Sequence, residues 1–422
     1  LNIPLVLSGN FGELRKNHFH TGIDLKTQGR EGLPVLAATA GVVSRVKVSP
    51  IGYGHAVYLR SPKGITTVYA HLQRFEGELA AWVLQEQYRL QRFDIDLVPP
   101  ETLRFQAGDT LGWSGNSGGS GGPHLHFEVR ETATERPINP LLWDLPVTDR
   151  RPPELGGLWI LPLAGGQVAG RAAPFRLGPE AGEVEVGGTV RLALEALDRL
   201  DGANNVCGVY RLELLVDGAL WFAVQFDTLD FAVNRDLNAH ALPDASGKVS
   251  SQTHRLHRLP GSRLPIYRPS DFLGTPLSLA PGTTRRLELR AEDVHGQRSS
   301  RVVNLVAPPA PASAAASPTP AASPAAAPAA PSKPFARFHY GARMEHKGPR
   351  GARLGASAVA FYEDTEVPFY PLEERLWVVG TPDLLTRDAL SIDVPLPADA
   401  ASGPRTGQGW VAWLVDSRGK RK

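Results

Sequence analysis

The stretch "GGPHLHFEV" (121–129) sets His124 and His126 one residue apart, directly after a Gly-Gly-Pro turn. Alternate side chains of a strand share a face, so both imidazoles point the same way, ~6.5–7 Å apart along the chain. Both cannot comfortably serve one small ion unless the strand bends. The natural division is one ligand and one neighbour that faces a reacting substrate. Glu128 shares that face in a regular strand. It is read as a solvated carboxylate, with support of a ligand as the alternative. Gly118, Gly119, Gly121, Gly122 and Pro123 read as a flexible approach to the strand.

Working outward, six of the 12 histidines precede residue 127: His18, His20, His55, His71, His124 and His126. The other six (His240, His254, His257, His295, His339, His346) lie in polar or turn contexts and read as surface residues. In "HFHTGIDL" (18–25) His20 and Asp24 stand four apart, and Thr21-Gly22 favours a turn that brings them together. Imidazole nitrogen and carboxylate oxygen are common ligands of Zn²⁺. The segment "VYAHL" (68–72) puts His71 at the end of an expected strand. Three separated segments thus supply four histidines and one aspartate. Their joint occurrence is far more specific than any one of them.

The H-x-x-x-D of "HFHTGID", the "YAHL" and the block "GDTLGWSGNSGGSGGPHLHFE" (108–128) together resemble the lysostaphin/LytM-type zinc metallopeptidases. These enzymes hydrolyse peptides of bacterial cell-wall peptidoglycan. The resemblance covers roughly residues 8–145 and is most specific in the last block. It implies one catalytic Zn²⁺ held by His20, Asp24 and His126, with water in the open fourth position. It also implies that His71 and His124 are the two catalytic histidines outside the metal shell. One would take a proton as general base, and the other would stabilise the oxyanion or help protonate the leaving amine. Which does which stays open. His55, in "GYGHAVYL", stands where relatives often carry asparagine and is left out of the site. His18 is given a structural role.

Lysine plus arginine number 45 against 43 acidic residues, a net charge of +2. That balance gives no electrostatic case for nucleic acid or an anionic membrane. No apolar run reaches the ~18 residues of a transmembrane helix. Cys207, the single cysteine, excludes an internal disulfide and a Cys-rich zinc site, and reads as a buried thiol.

The chain reads as mainly β. Residues 1–150 form an antiparallel LytM-type peptidase domain, with hairpin signals at 55–61 and 65–72. A helical insertion, "GELAAWVLQEQYRLQRF" (77–93), forms a cleft wall or lid, or packs on the outside; "FDIDL" (93–97) alternates like a strand. Residues 151–306 follow as an immunoglobulin-like β-sandwich, in which Asp217-Gly218 is a hairpin turn. The segment 307–334 holds 13 alanines and 9 prolines among its 28 residues, a semi-extended linker up to roughly 85 Å long. Residues 335–422 form a small β-rich C-terminal domain, with strand signals at 357–364, 375–380, 390–396 and 409–417.

The leading expectation is a zinc endopeptidase cutting peptide stems or cross-links of peptidoglycan, located outside the cytoplasm. A non-hydrolytic scaffold of the same fold, binding cell wall or activating an amidase, is the alternative. Scaffolds of that kind usually lack metal ligands, and here the ligand set is complete. A structural adhesin is a weaker option, because nothing in 151–422 names a ligand. The C-terminal β domains are expected to position the catalytic unit or meet a protein partner.

Overall fold

A computed structural model describes residues 1–244, 252–270, 272 and 274–310, then 335–339, 342–348, 352–356, 365–371, 377–379 and 391–393. The chain is mainly β, as expected, and its strands pair antiparallel except where β17 meets β23. Leu1–Asp244 and Arg263–Pro309 belong to one compact unit, and the chain from Ala310 onward belongs to another.

The first sheet begins with β1 (Leu7–Gly9) and β4 (Ile23–Lys26), and between them the chain forms a separate two-stranded ribbon of β2 (Leu14–Arg15) and β3 (His18–Phe19). Next come β5 (Pro34–Leu36), β6 (Gly41–Val48), β7 (His55–Arg60) and β8 (Ile65–Phe75). Helix α1 (Gly77–Leu90) is followed by β9 (Ile95–Leu97), β10 (Arg104–Phe105), β11 (Thr110–Ser114), β12 (His124–Glu131) and β13 (Pro137–Ile138). The sheet's main order is β1-β4-β12-β8-β7-β6-β10. Strand β12 therefore lies between β4 and β8. Its odd-numbered residues Leu125, Phe127 and Val129 enter the core with Ile23, Leu25 and Tyr69. That apolar face is what directs the even-numbered, chemistry-bearing residues to the other side.

Helix α1 ends three residues earlier than its composition suggests. Gln91 turns left-handed (φ 50°) and its amide returns to the carbonyls of Gln87 and Tyr88, closing the last turn. Leu79 and Val83 fix the helix to the sheet core.

The second sheet takes β14 (Glu154–Pro162), β15 (Gln167–Val168), β16 (Phe175–Leu177) and the long β17 (Glu183–Leu197). It continues with β18 (Arg211–Val216), β19 (Ala219–Gln225), a short helix α2 (Leu237–His240) and β20 (Thr253–Arg255). The last three are β21 (Leu277–Leu279), β22 (Thr284–Glu292) and β23 (Arg298–Val306). The hairpin β18–β19 turns at Asp217-Gly218, both at positive φ (51° and 87°), as the tight primed turn of a twisted hairpin requires. Strand β17 pairs with β23 at its start and with β14 at its end, so it links the two parts of this sheet.

The two cores exchange side chains. Phe11, Leu14 and Phe19, from the segment between β1 and β4, sit in the core of the second sheet. Leu200 and Cys207 sit in the core of the first, so Cys207 is the buried thiol expected. Two side chains clamp the incoming segment by its backbone. Asn234 accepts from the Phe19 amide (2.9 Å) and donates to its carbonyl (3.2 Å). Gln252 does the same for Leu14, at 2.9 and 3.0 Å.

Histidines 240, 254 and 257 correct the expectation that they lie at the surface. They are at most 2% exposed, and His240 and His254 bond ring to ring at 2.9 Å. Their apparent polar context is local only; the sheet folds over them. His295 and His339 are exposed.

Beyond Ala310 the described strands form two three-stranded sheets. One is β24 (Phe335–Phe338), β27 (Thr365–Pro371) and β28 (Trp377–Val379); the other is β25 (Met344–Lys347), β26 (Arg353–Ala356) and β29 (Ser391–Asp393). The strand expectations at 357–364 and 409–417 lie outside the described residues, as does most of the Ala/Pro linker.

Candidate active site

The register of β12 assembles the site. His126 is paired with Asp24 of β4 on one side and with Ala70 of β8 on the other. Paired residues in a sheet share a face, so His126, Asp24 and His124 project together. His20 reaches them from the turn before β4. All five residues singled out in the sequence meet here.

Three donor atoms form a tight triangle. His20 Nε2 and His126 Nδ1 lie 3.1 and 2.9 Å from Asp24 Oδ1, and 3.1 Å from each other. Donors on one tetrahedral ion at ~2.0–2.1 Å would stand ~3.3 Å apart. The trio therefore fits a single small ion, and all three residues are buried.

The outward ring nitrogens settle the tautomers. His20 Nδ1 lies 2.8 Å from the Asn10 carbonyl, which can only accept, so Nδ1 carries the proton and Nε2 is left as a lone-pair donor. His126 Nε2 donates in the same way to Glu128 Oε1 at 2.9 Å, so Nδ1, 2.9 Å from Asp24 Oδ1, is the atom turned toward a metal, which would displace its proton. Glu128 corrects the reading of a solvated carboxylate. It is 0% exposed, accepts from Thr21 (2.8 Å), Tyr53 (2.5 Å) and Arg130 (2.7 Å), and is fully enclosed. The second carboxylate oxygen of Asp24 accepts from Arg15 at 2.6 Å.

These contacts set the charges. Burial pushes His20 down to about 4. Burial opposes the charge of Asp24, yet contact with His20 and bonds from His124 and His126 hold it well below the usual carboxylate range. For His126 burial is outweighed by Asp24 and Glu128 on either side, which raise it to about 9.

His71 and His124 face this triangle without joining it. Their rings stand 4.8 Å apart, and His124 Nε2 is 3.5 Å from Asp24 Oδ1. Each donates Nδ1–H to a backbone carbonyl at 2.8 Å, His71 to Ser117 and His124 to Gly122; His71 thereby keeps Nε2 as an acceptor, while His124 Nε2 is turned toward Asp24. Burial lowers His71 to about 4.

His71 reaches the site through a backbone irregularity. Ala70 shares the face of His126, so simple alternation would send His71 toward the core. Instead the pairing of β7 with β8 jumps from Val57↔Tyr69 to His55↔Leu72, two steps against three. His71 takes the left-handed conformation (φ 59°) and its amide bonds Tyr53 O at 2.9 Å. This bulge re-aims the imidazole, a use of strain typical of functional sites.

The glycine-rich approach is partly locked, a correction to its reading as flexible. Gly118 (φ 73°) rests on the loop before β7, where an added Cβ would stand 2.3 Å from Gly54 N. Gly121 and Gly122 are open. His55 bonds the Gln73 carbonyl, and His18 is exposed. The sequence reading missed Asn10, Arg15, Tyr53, Ser117 and Arg130. Arg130 alone carried a signal, through its alternation with Glu128.

Residues 18–88 match peptidase family M23. The resemblance to lysostaphin/LytM-type M23 peptidases is thereby shown for a segment of the chain. The matched span holds His20, Asp24 and His71. The chain is 34% identical over 130 residues to the DD-carboxypeptidase/endopeptidase Mpg of Neisseria meningitidis serogroup B, covering 31% of this chain and 24% of that one. It is 31% identical over 129 residues to an uncharacterized metalloprotease of Haemophilus influenzae, covering 31% and 22%. The chain thus spans about a quarter of the length of these curated relatives. Among solved structures it is similar to the catalytic domain of the prophage-encoded M23 protein EnpA from Enterococcus faecalis. That match has 26% identity, a TM-score of 0.26, and coverage of 33% of this chain and 92% of that one. Among the described residues no helix is long and apolar enough to cross a membrane.

Proposed function

We propose that the chain is a zinc-dependent endopeptidase that hydrolyses peptide stems or cross-links of bacterial peptidoglycan outside the cytoplasm. The triangle of His20, Asp24 and His126, with the imidazoles of His71 and His124 beside it, carries the reading. His20 Nε2, Asp24 Oδ1 and His126 Nδ1 would hold the ion. A bound zinc ion supplies Lewis acidity toward water and the scissile carbonyl.

The chain's own residues do the rest. Asn10 and Glu128 fix the two ligand imidazoles in the tautomers a metal needs. His71 and His124, both anchored through Nδ1, present Nε2 toward the reacting atoms. One accepts a proton from the attacking water. The other, once protonated, donates to the developing oxyanion or the leaving amine. We assign residues 1–150 to the peptidase domain, 151–306 to an immunoglobulin-like sandwich that supports it, and 307–334 to a linker. That linker carries the β domain 335–422 toward a protein partner.

The test is release of peptides from purified peptidoglycan, with and without a chelator, by wild type and His126→Ala. Loss of release in both the chelated and the variant protein supports the assignment. Cleavage surviving both would overturn it, and zinc binding with no cleavage by wild type would favour the scaffold.

A further inference from the structure

A second group of ligating side chains lies where the two sheets meet. Asp149 follows the first sheet, Asp198 closes β17, and Asp293 and His295 form the turn between β22 and β23. Ligand atoms of Asp149, Asp293 and His295 lie within 4.8 Å of one another. Asp149, Asp198, Asp293 and His295 all line one cavity of ≈ 10 Å³, room for a single water-sized occupant.

The three carboxylates are 8%, 3% and 2% exposed, so each has left most of its hydration behind. Backbone amides offset part of this. Asp149 Oδ1 accepts from Arg151 (3.1 Å) and Asp198 Oδ1 from Arg199 (2.8 Å). Asp293 accepts from His295, Gln297 and the Gln297 side chain, at 2.8–3.0 Å. Asp149 Oδ2 is buried without a hydrogen-bond partner. Among the described residues no arginine or lysine pairs with any of the three. Arg150 turns to Asp201, while Arg151 and Arg199 turn to Glu154. A buried carboxylate oxygen without a partner is costly, and three carboxylates around one small space compound the cost. Burial, reinforced by Asp149 and then Asp293, pushes Asp198 up to about 7.

We propose that this seam binds a divalent cation, distinct from the active-site metal, through Asp149, Asp198, Asp293 and His295. The oxygen-dominated donor set suits a hard cation, and the one imidazole keeps a transition metal in contention. Its two sources of ligands would tie the sheets together across the seam. Asn10, whose carbonyl orients His20, lines the same cavity, so the cation would stiffen the loop that presents a catalytic-site ligand.

The experiment uses the full chain carrying His126→Ala, which silences the first site, and titrates Ca²⁺, Mg²⁺, Mn²⁺ and Zn²⁺ separately after chelation. Bound ion is counted by elemental analysis, and the melting temperature is followed. One saturable ion per chain, with a rise in melting temperature, is expected for at least one of the four. Adding Asp149→Asn or Asp293→Asn should weaken that binding at least tenfold. Without cation, Asp198→Asn should raise the melting temperature, because it removes the repulsion. At saturating cation it should lower it. Absence of any saturable ion in the His126→Ala chain, which needs no further variant to fold, overturns the proposal. Binding indifferent to the aspartate substitutions overturns it equally. Neither result bears on the first site, whose metal is counted in wild type.

Discussion

Glu128 accepts the Nε2 proton of His126 at 2.9 Å and is itself sealed from water, held by Thr21, Tyr53 and Arg130. The imidazole proposed to hold the ion is therefore oriented by a carboxylate two residues along the same strand. Such partners govern metal affinity through the direction and basicity of the lone pair. Glu128→Gln keeps the shape and removes the charge, and should weaken zinc binding roughly 10- to 100-fold. Competition with a chromophoric chelator measures it. Unchanged affinity would show that orientation of His126 does not depend on Glu128. Glu128→Ala is a poorer probe, since it also removes the buried partner of Arg130 and leaves that charge only the exposed Glu135.

His71 and His124 should separate from the ligands in their phenotypes. His71→Ala and His124→Ala are expected to retain the metal while kcat falls roughly 10²–10⁴-fold, the range of general acid–base contributions. His20→Ala or Asp24→Ala should lose the metal itself. Metal content by elemental analysis, read beside the rate, distinguishes the two classes. Because His71 sits at φ 59°, His71→Asn should fold as well as wild type, whereas the β-branched His71→Val should be less stable.

The backbone clamps predict a long-range effect on the metal. Asn234→Ala leaves the buried N–H and C=O of Phe19 without partners, one residue before His20. The expected destabilisation is about 1–3 kcal/mol by urea unfolding, with a parallel loss of zinc affinity. Gln252→Ala should act similarly through Leu14. A stability loss with zinc affinity untouched would show that the clamp does not reach the site.

The buried histidines of the second sheet should contribute to acid sensitivity, alongside His20 and His71. Burial lowers His254 and His257 to about 3. Their ordinary value is ~6.5, so only the unfolded chain takes up protons as pH falls below that. Stability is therefore fully present above ~6.5 and is lost progressively as pH falls toward 3. Between pH 6.5 and 5 each such histidine removes about 2 kcal/mol. The urea midpoint of His257→Leu should accordingly decline less over that interval than that of wild type. Equal slopes would place the acid sensitivity elsewhere.

Much of the site was legible along the chain because its logic is local. The alternation in "HLHFEV" puts His124 and His126 on one face, and the turn Thr21-Gly22 sets His20 near Asp24. Periodicity likewise marked the hairpins and α1, since strands and helices repeat every ~2 and ~3.6 residues. What pairs with what was decided only by the tertiary structure. The register that seats Asp24 beside His126, and the bulge that turns His71 from the core to the cleft, depend on neighbours far along the chain. The same holds for burial. Glu128, His254 and His257 look solvated in their own segments, and become enclosed once other strands, loops and the opposite sheet close over them. Side-chain type and spacing thus determine the chemistry on offer. Long-range packing determines which of those groups lose water, and with it their charge and their role.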